Sequence, residues 1–478
     1  MTTQVVLSAL STGRNVGFGT SGVRALVSAL DAELCYAYVM AFLNVVGRPR
    51  AVVLCHDLRP SSPAIARYCA AALRDAGVPI RFGGALPTPA AAAFAMAEAC
   101  PAIVVTGSHI PFDRNGIKFY RAEGEITKDD ERAMLSTEVD LPPCVDAAAL
   151  PSVDVQIERA YADRYLSYFP RALLSGMRLG VYQHSGVARD LLVKLLQDLG
   201  AEVVAFGRTD GFVPIDTEAL TPDDRENARQ WVRVHRLDGI LSTDGDADRP
   251  LLADEAGEWF RGDLLGVICA RQLGMQTVVT PVNSNTVVER CQWFDQVVRT
   301  RIGSPYVLAA IADAQASGAS HICGYEANGG FIQATPLQGA ESVLSPLPTR
   351  DAVLPMLAAL AMASAQGGSL AALRRHVPAR FTSSDRVAGL AEGAAQQLVA
   401  TLSADPAQRQ RLMAPLDGHL TTMDLTDGLR MTLTNGDIVH LRASGNAPEL
   451  RCYAESDEEG KAATWVERCL KAASAALN

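Results

Sequence analysis

The chain has 478 residues, more than one hydrophobic core usually serves, so its length predicts two to four domains. With 48% hydrophobic and 20% charged residues it has the composition of a folded globular protein, which excludes a disordered or fibrous chain. The net charge of −10 argues against a nucleic-acid partner, because phosphate backbones are bound by clustered lysines and arginines. An anionic small molecule stays a candidate ligand, provided that basic residues converge locally.

Neither export nor a membrane anchor is indicated. The first ten residues lack the basic segment of a secretion signal, and the alanine-rich stretch 90–99 is too short to cross a bilayer. Ten cysteines are spread singly, with no Cys-x-x-Cys pair, as expected for reduced core positions. We therefore expect a cytoplasmic protein that binds neither nucleic acid nor membrane.

One pattern recurs three times: an apolar strand, a polar turn, a helix and a second strand. The copies begin at Ala51, Leu179 and Thr277. After about residue 370 the sequence is typical first of helices and then of strands, in which apolar and polar residues alternate, for example over 438–442. Three related α/β domains and a smaller α+β domain explain this most simply, with coincidence as the alternative because such alternation is common in enzymes.

A serine lies in a tight loop directly after the apolar strand 103–106. Gly107 lets the chain turn sharply, and His109 and Lys118 bring proton-carrying or cationic groups close to Ser108. Reactive groups of α/β sheets stand in such loops, so Ser108 is a candidate nucleophile. For a Ser-His pair taken alone, an ordinary surface turn is the alternative.

Asp244, Asp246 and Asp248 alternate immediately after an apolar strand. Three carboxylates this close repel one another unless a cation joins them, and hard oxygen ligands suit Mg²⁺. An EF-hand loop is excluded because its sixth position needs glycine and holds Arg249, although Glu255 falls at the twelfth. A solvated acidic turn is the alternative.

Near the C-terminus, the segment 442–451 combines charge and free backbone N–H groups. Arg442 and Arg451 flank a hydroxyl and a Gly-Asn turn. A phosphate dianion is bound by such fork-shaped donors and backbone nests, whereas a β-turn between solvated arginines is the alternative.

Two further loops carry polar residues among glycines. In the segment 324–330, Glu326 and Asn328 could hydrogen-bond two neighbouring sugar hydroxyls, with a plain glycine turn as the alternative. In the segment 18–24, Arg24 lies on a glycine-containing loop.

These five segments, taken in chain order and spread across nearly the whole chain, resemble those of the α-D-phosphohexomutase family. The resemblance implies an α/β protein of four domains around a central cleft, three of them topologically similar with mixed sheets and the last a smaller α+β domain. The implied domains are a phosphoserine-loop domain at 1–150, a metal-binding domain at 151–252, a sugar-recognition domain at 253–370 and a phosphate-binding domain at 371–478.

The resemblance also implies a mechanism in which phosphorylated Ser108 gives its phosphoryl group to a hydroxyl of a hexose phosphate. The bisphosphorylated sugar turns over and returns its other phosphoryl group, with Mg²⁺ as cofactor and hexose 1,6-bisphosphate as activator. The implied catalytic residues are Ser108, His109, Lys118, Arg24 and Arg249. The implied metal ligands are Ser108, Asp244, Asp246 and Asp248. The implied substrate-binding residues are Glu326, Asn328, Arg442, Ser444, Gly445, Asn446 and Arg451.

The chain departs from the family pattern in several places. The serine loop has Gly107 where alanine is common and Ile110 where asparagine is common. The phosphate loop has Asn-Ala in place of the frequent Thr-Glu, so it loses a hydroxyl. Histidines that some members carry are replaced by the pairs Gly329-Gly330 and Gly303-Ser304. The general acid and base are therefore open, with His109 and Lys118 as the local candidates.

The Glu-Ala-Asn form of the sugar loop is similar to phosphomannomutase-type members rather than to phosphoglucosamine mutases, which usually carry Glu-Gln-Ser. We expect interconversion of mannose 6-phosphate and mannose 1-phosphate, with glucose phosphates as further substrates left open. Phosphoglucomutase and phosphoglucosamine mutase activities are alternatives, as are a phosphatase and a non-catalytic sugar-phosphate-binding scaffold. The expected partners are small-molecule hexose phosphates, bound by a monomer or homodimer.

Overall fold

The computed structural model describes residues 2–19, 21–339, 342–414, 416–445 and 448–477. In this part of the chain, four large β-sheets follow one another and define four domains. None of the helices described is long and apolar enough to cross a membrane.

The first domain contains a seven-stranded mixed sheet. The strands of the whole domain are β1 (Thr3–Val6), β2 (Gly17–Phe18), β3 (Val23–Leu26), β4 (Val52–His56), β5 (Ile80–Ala85), β6 (Ala102–Val105), β7 (Arg114–Arg121), β8 (Gly124–Glu125) and β9 (Glu138–Leu141), and the sheet contains β2 to β8. Its helices are α1 (Leu7–Gly13), α2 (Ala32–Val46), α3 (Ser62–Asp75), α4 (Thr88–Ala97) and α5 (Lys128–Ser136), with a 3₁₀ turn at Val27–Ala29. The sheet order is β2-β3-β7-β6-β4-β5 with β8 beside β7, and β1 pairs separately with β9.

The second domain has a four-stranded sheet in the order β11-β10-β12-β13. Its strands are β10 (Arg178–Tyr182), β11 (Glu202–Phe206), β12 (Gly239–Thr243) and β13 (Pro250–Ala253). Its helices are α6 (Gln156–Tyr168), α7 (Arg189–Asp198) and α8 (Pro222–His235).

The third domain has a five-stranded sheet in the order β15-β14-β16-β17-β20, plus the pair β18-β19. Its strands are β14 (Thr277–Pro281), β15 (Gln296–Thr300), β16 (Ile322–Tyr325), β17 (Phe331–Gln333), β18 (Leu337–Gln338), β19 (Val343–Leu344) and β20 (Leu347–Asp351). Its helices are α9 (Gly262–Gln272), α10 (Val287–Arg290), α11 (Ser304–Ala316) and α12 (Val353–Ala365), followed by a 3₁₀ segment at Ala371–His376.

The fourth domain is an antiparallel sheet of order β21-β25-β24-β23-β22 covered by helices. Its strands are β21 (Phe381–Val387), β22 (Leu420–Asp424), β23 (Leu429–Leu433), β24 (Ile438–Ala443) and β25 (Leu450–Ser456). Its helices are α13 (Ala394–Ala404), α14 (Pro406–Met413) and α15 (Lys461–Leu477).

The first three domains share one strand arrangement. In each, a central strand lies between two parallel neighbours, and an antiparallel strand follows: β5-β4-β6-β7, β11-β10-β12-β13 and β15-β14-β16-β17. Strands β4, β6 and β12 are apolar along most of their length because helices cover both faces of these sheets. The predicted architecture of three similar α/β domains and one α+β domain is confirmed, whereas the boundaries at residues 150, 252 and 370 stay predictions.

The second and third domains share one hydrophobic core, which also contacts α4 of the first. At its centre Asp351 accepts hydrogen bonds from the hydroxyls of Tyr161 and Tyr165. All ten cysteines are described and free, eight of them buried, in agreement with the expected reduced state.

Candidate active site

Three loops of equivalent position meet at one buried cluster. They connect β6 to β7, β12 to β13 and β16 to β17. The hydroxyl of Ser108 in the first loop donates a hydrogen bond of 2.6 Å to Asp244 in the second. Arg350 joins Asp248 to Glu326 in the third loop through two ion pairs of 2.7 Å. The structure thus brings together the serine, aspartate and sugar loops that the sequence singled out.

Ser108 is held in an uncommon backbone conformation. Its φ is +50°, in the left-handed region that is costly for residues other than glycine. Asp57 fixes the loop by accepting hydrogen bonds from Thr106 Oγ1 at 2.8 Å and from the Gly107 N–H at 3.1 Å. Thr106 Oγ1 in turn accepts from the Ser108 N–H at 2.8 Å. These bonds aim a serine that is only 1% exposed at Asp244.

The buried guanidinium of Arg59 also supports the serine loop. It donates hydrogen bonds to four backbone carbonyls, those of Ser108 (2.8 Å), Ile110 (2.5 Å), Pro111 (2.8 Å) and Arg114 (2.9 Å). The ring of Phe212, from the second domain, lies 4.0 Å from its central carbon. Neither Asp57 nor Arg59 was predicted from the sequence, although the polar run that follows β4 was a signal for them.

The three aspartates are buried, and each offers a carboxylate oxygen within 4.8 Å of the others. Lys118 donates to Asp246 and to Asp248, at 2.7 Å each. Among the residues described, Oδ1 of Asp246 and Oδ1 of Asp248 are buried without a hydrogen-bond partner. Burial raises the pKa of Asp244 well above its usual value, and the charges of the other two aspartates add to this.

Buried carboxylate oxygens without donors are costly, and a hard divalent cation would supply both the missing charge and the missing bonds. The donor set, all oxygen and closely spaced, fits such an ion. Thr88 at the start of α4 fixes this loop, because its Oγ1 donates to the Asp246 carboxylate at 2.8 Å and its N–H to the Asp246 carbonyl at 2.9 Å.

Arginines surround the aspartates. Arg249 Nε lies 3.9 Å from Asp244 and 3.7 Å from Asp248. The side chain of Arg24 makes no hydrogen bond or ion pair with another described residue, and burial together with the charges of Arg249 and Arg350 lowers its pKa to about 10. Arg24 lies on strand β3 rather than in the loop predicted from the sequence. A partly buried cation without a counter-ion among the described residues is suited to an anionic ligand.

The two proton-transfer candidates from the sequence differ in charge. His109 Nδ1 is 3.2 Å from Ser108 Oγ. The charge of Arg249, with burial, holds the pKa of His109 far below its usual value, so the imidazole is neutral. Although burial opposes its charge, Asp246 and Asp248 raise the pKa of Lys118, which therefore stays an ammonium ion.

The sugar loop is a tight turn that includes Gly329 at φ +89°. Asn328 Oδ1 accepts a hydrogen bond of 2.9 Å from the Gly330 N–H, and Glu326 is held by Arg350. A Cβ at Gly262, where α9 begins, would lie 2.3 Å from this backbone, so the loop packs directly on the helix. The roles of Glu326 and Asn328 toward sugar hydroxyls stay predictions.

Two arginines of the predicted phosphate loop are cross-strand neighbours. Arg442 on β24 stands opposite Arg451 on β25. Like charges in this position repel, and each is held by a carboxylate: Arg442 by Asp427 at 2.9 Å and Arg451 by Glu449 at 3.4 Å. The pair presents two guanidinium groups from one edge of the fourth domain.

The turn that follows β24 is closed by a hydrogen bond of 2.9 Å from the Ser444 N–H to the Glu449 carbonyl. A Cβ at Gly445 would meet no atom of the described residues within 4 Å. Asn446, also predicted as a substrate contact, lies outside the described residues.

A narrow pocket that opens to solvent lies between the third and fourth domains and reaches the sugar loop. Its lining includes Glu218, Arg261, Ala327, Arg430 and Tyr453. Among residues at the cleft, Arg350, Glu218 and Arg261 were not predicted from the sequence, because no local motif marks them.

Four family models match the chain in order. They are phosphoglucomutase/phosphomannomutase α/β/α domain I at residues 15–140, domain II at 159–257, domain III at 261–381 and the C-terminal domain at 391–472. The chain therefore belongs to the phosphoglucomutase/phosphomannomutase family, which confirms the resemblance to α-D-phosphohexomutases.

Individual relatives agree with this assignment. A phosphomannomutase from Salmonella muenchen is 43% identical over 459 residues, covering 95% of both chains. One from Sinorhizobium fredii is 43% identical over 453 residues, covering 92% of this chain and 95% of its own.

Two solved structures share the fold. A phosphoglucomutase/phosphomannomutase family protein from Burkholderia thailandensis has a TM-score of 0.74 at 20% identity, covering 96% of this chain and 98% of its own. An Aspergillus fumigatus N-acetylphosphoglucosamine mutase variant in complex with glucose 1,6-bisphosphate has a TM-score of 0.58 at 14% identity, covering 99% of both chains.

Proposed function

We propose that the protein is a phosphomannomutase that interconverts mannose 6-phosphate and mannose 1-phosphate through a phosphoserine at Ser108 and a hexose 1,6-bisphosphate. The observation that carries the proposal is the 2.6 Å hydrogen bond from the buried Ser108 hydroxyl to Asp244, inside a cluster of three aspartates. The name of the Salmonella relative, at 43% identity, favours mannose phosphates.

In this reaction phosphorylated Ser108 gives its phosphoryl group to a free hydroxyl of the hexose phosphate. A bond forms between phosphorus and the hydroxyl oxygen, the bond to Ser108 Oγ breaks, and the hydroxyl proton passes to a base. After the bisphosphate has reoriented, its other phosphoryl group returns to Ser108 and the oxygen it leaves regains a proton. The serine ends phosphorylated, and the sugar has exchanged a 1-phosphate for a 6-phosphate or the reverse.

Ser108, Asp244, Asp246 and Asp248 would hold Mg²⁺, which supplies positive charge to the transferring phosphoryl group when bound. The chain's own cations have separate roles. Arg24, which has no counter-ion among the described residues, pairs with phosphoryl oxygens, while Lys118 and Arg249 offset the aspartates.

In the fourth domain, Arg442, Ser444, Gly445, Asn446 and Arg451 bind the phosphate that is not reacting. Two neighbouring guanidinium groups suit a dianion because each presents a fork of N–H donors. A site that reads only phosphate accepts the intermediate in either orientation, as the reaction requires.

Sugar identity is read by Glu326 and Asn328 in the turn that faces the cleft. Mannose and glucose differ in the orientation of one hydroxyl, and a single hydrogen bond contributes only about 1 kcal/mol, so glucose phosphates are expected as weaker substrates. Phosphoglucomutase and phosphoglucosamine mutase activities are the alternatives within the family.

A coupled assay tests the proposal with mannose, glucose and glucosamine 1-phosphates, Mg²⁺ and a trace of hexose 1,6-bisphosphate, in wild type and Ser108→Ala. We expect fastest turnover of mannose 1-phosphate and loss of turnover in the variant. Turnover of glucosamine phosphate alone would reassign the substrate, release of inorganic phosphate would indicate a phosphatase, and no turnover would favour a non-catalytic sugar-phosphate-binding scaffold.

The protein is proposed to act in the cytoplasm as a monomer or homodimer on small-molecule hexose phosphates. The ten free cysteines support a reducing compartment.

A further inference from the structure

The segment that precedes α8 brings a carboxylate into the cleft that the proposed function does not use. Buried Thr217 donates a hydrogen bond of 3.1 Å from Oγ1 to the Asn328 carbonyl. The N–H of the next residue, Glu218, bonds Oδ1 of Asp216 at 3.1 Å. The first bond fixes this part of the second domain against the sugar loop, and the second shapes the turn that carries Glu218.

Glu218 lies where several elements converge. It lines the pocket between the third and fourth domains together with Arg261 at the start of α9, Ala327 in the sugar loop and Tyr453 on β25. Arg249, next to the aspartates, is close enough to influence its pKa. A hexose held between the serine loop and the phosphate loop would therefore pass this carboxylate.

The other carboxylates of the cleft are already engaged. Asp246 and Asp248 bind Lys118, and Glu326 binds Arg350. The Glu218 carboxylate makes no hydrogen bond or ion pair with any residue in the described ranges. Among the described carboxylates of the cleft, it is therefore one that has neither a hydrogen bond nor an ion pair and remains available to a ligand.

The surroundings of Glu218 suit proton transfer. Burial raises its pKa to about 6, with Asp216 and Glu326 acting in the same direction and Arg249 and Arg261 against it. Arg451 and Tyr453 face it from the fourth domain. A carboxylate that titrates near neutral pH can accept a proton in one step and return it in another.

We propose that Glu218 is a further catalytic residue, the base that takes the proton of the acceptor hydroxyl and the acid that returns it. The inference rests on the proposed function. In the first transfer the hydroxyl proton passes to a Glu218 oxygen while the O–P bond forms and the bond to Ser108 Oγ breaks. In the second, Glu218 gives this proton to the oxygen whose bond to phosphorus breaks. One carboxylate serves both steps because the bisphosphate reorients between them.

This assignment fills the place left open by the missing histidines. Lys118 is a paired ammonium ion, and His109 is neutral and adjacent to Ser108 itself. Glu218 belongs instead to the wall near the sugar loop, where the accepting hydroxyl is read.

The test compares wild type, Glu218→Gln and Thr217→Val. Glutamine keeps the shape but cannot take a proton, so kcat for mannose 1-phosphate should fall about 100-fold or more. The same loss is expected in the single-turnover transfer from phosphorylated Ser108 to mannose 6-phosphate. Intact-protein mass spectrometry measures this transfer as loss of the phosphoryl group from the enzyme. Thr217→Val keeps the carboxylate and loosens its anchor, so it should lose less and mainly in KM.

The pH dependence separates proton transfer from simple positioning. The phosphate groups of substrate and phosphoserine titrate near pH 6 in every variant. Glu218 must be ionised to act as a base. As the pH falls, the wild-type rate should therefore depend on one more protonation than the Glu218→Gln rate and should decrease more steeply. The Thr217→Val rate should follow that of wild type. Thermal unfolding checks that all three proteins are equally folded.

The inference would be overturned if Glu218→Gln left the single-turnover rate unchanged. It would also be overturned if the variant raised only KM and its rate decreased at low pH as steeply as that of wild type. Failure of the proposed function is distinguishable, because wild type itself would then turn over no hexose phosphate.

Discussion

The guanidinium of Arg59 occupies the space that a side chain at residue 107 would need. A Cβ at Gly107 would lie 2.5 Å from both Cζ and Nε of Arg59. The position at which this chain departs from the alanine common in its family is therefore adapted to a buried arginine that binds four carbonyls of the loop.

Gly107→Ala should consequently displace the serine loop. We expect a drop in turnover of roughly 100-fold, because small misplacements of a reacting group are costly, and destabilisation of about 1–3 kcal/mol from overpacking. The measurements are the mutase assay and urea unfolding. Gly13→Ala is the matched control, since nothing lies within 4 Å of the place where its methyl group would stand, and wild-type activity in Gly107→Ala would contradict the prediction.

Mg²⁺ should raise the melting temperature of the protein. The ion would relieve the unpartnered Oδ1 atoms of Asp246 and Asp248, and a ligand at 100 times its Kd stabilises by about 2.7 kcal/mol. Differential scanning fluorimetry with and without chelator checks this. Asp246→Asn should weaken the shift strongly, whereas Asp129→Asn at an exposed ion pair should keep it. A shift of equal size in Asp246→Asn would place the ion elsewhere.

Arg350→Met should destabilise the protein by about 3–5 kcal/mol, because it leaves the buried carboxylates of Asp248 and Glu326 without their shared cation. Chemical unfolding measures the effect. Arg229→Met is the control: it breaks a half-exposed pair with Glu258 and should cost at most about 1 kcal/mol. Equal losses in the two variants would contradict the bridging role.

His184 should make the protein less stable at mildly acidic pH. Burial lowers its pKa to about 4, and its Nε2 donates to the Thr243 carbonyl at 2.9 Å. The unfolded chain takes up a proton near pH 6.5 and the folded chain does so only near pH 4, so the stability contributed by the neutral imidazole is complete above pH 6.5 and is lost as the pH falls toward 4.

The contribution amounts to about 2 kcal/mol between pH 7 and pH 5. Urea unfolding at both values should therefore show a smaller pH effect in His184→Asn than in wild type. Asparagine suits the test because it tolerates the positive φ of +26° at this position. Parallel losses in both proteins would show that another group is responsible.

Much of the architecture was predictable because the apolar runs of β4, β10 and β14 stand at the same place in three similar segments. Ser108 and the three aspartates were also found from sequence, since each follows directly on a buried strand. Arg350 and Glu218 were not, because an isolated arginine at a strand end and a glutamate before a helix carry no local pattern. Only the packing of separate domains brings them to the cleft.

The double hold of Thr88 on Asp246 limits how the protein can move. Any rotation between the first two domains would break both of these hydrogen bonds, together with those from Lys118 and Ser108 to the aspartates. These bonds hold the two domains together as one unit. The antiparallel fourth domain shares none of these bonds and contacts the third through a separate set, which includes Thr286 to Glu455 and Arg290 to Asp457. Any swing that accompanies reversal of a bisphosphate would therefore break this second set and leave the first intact.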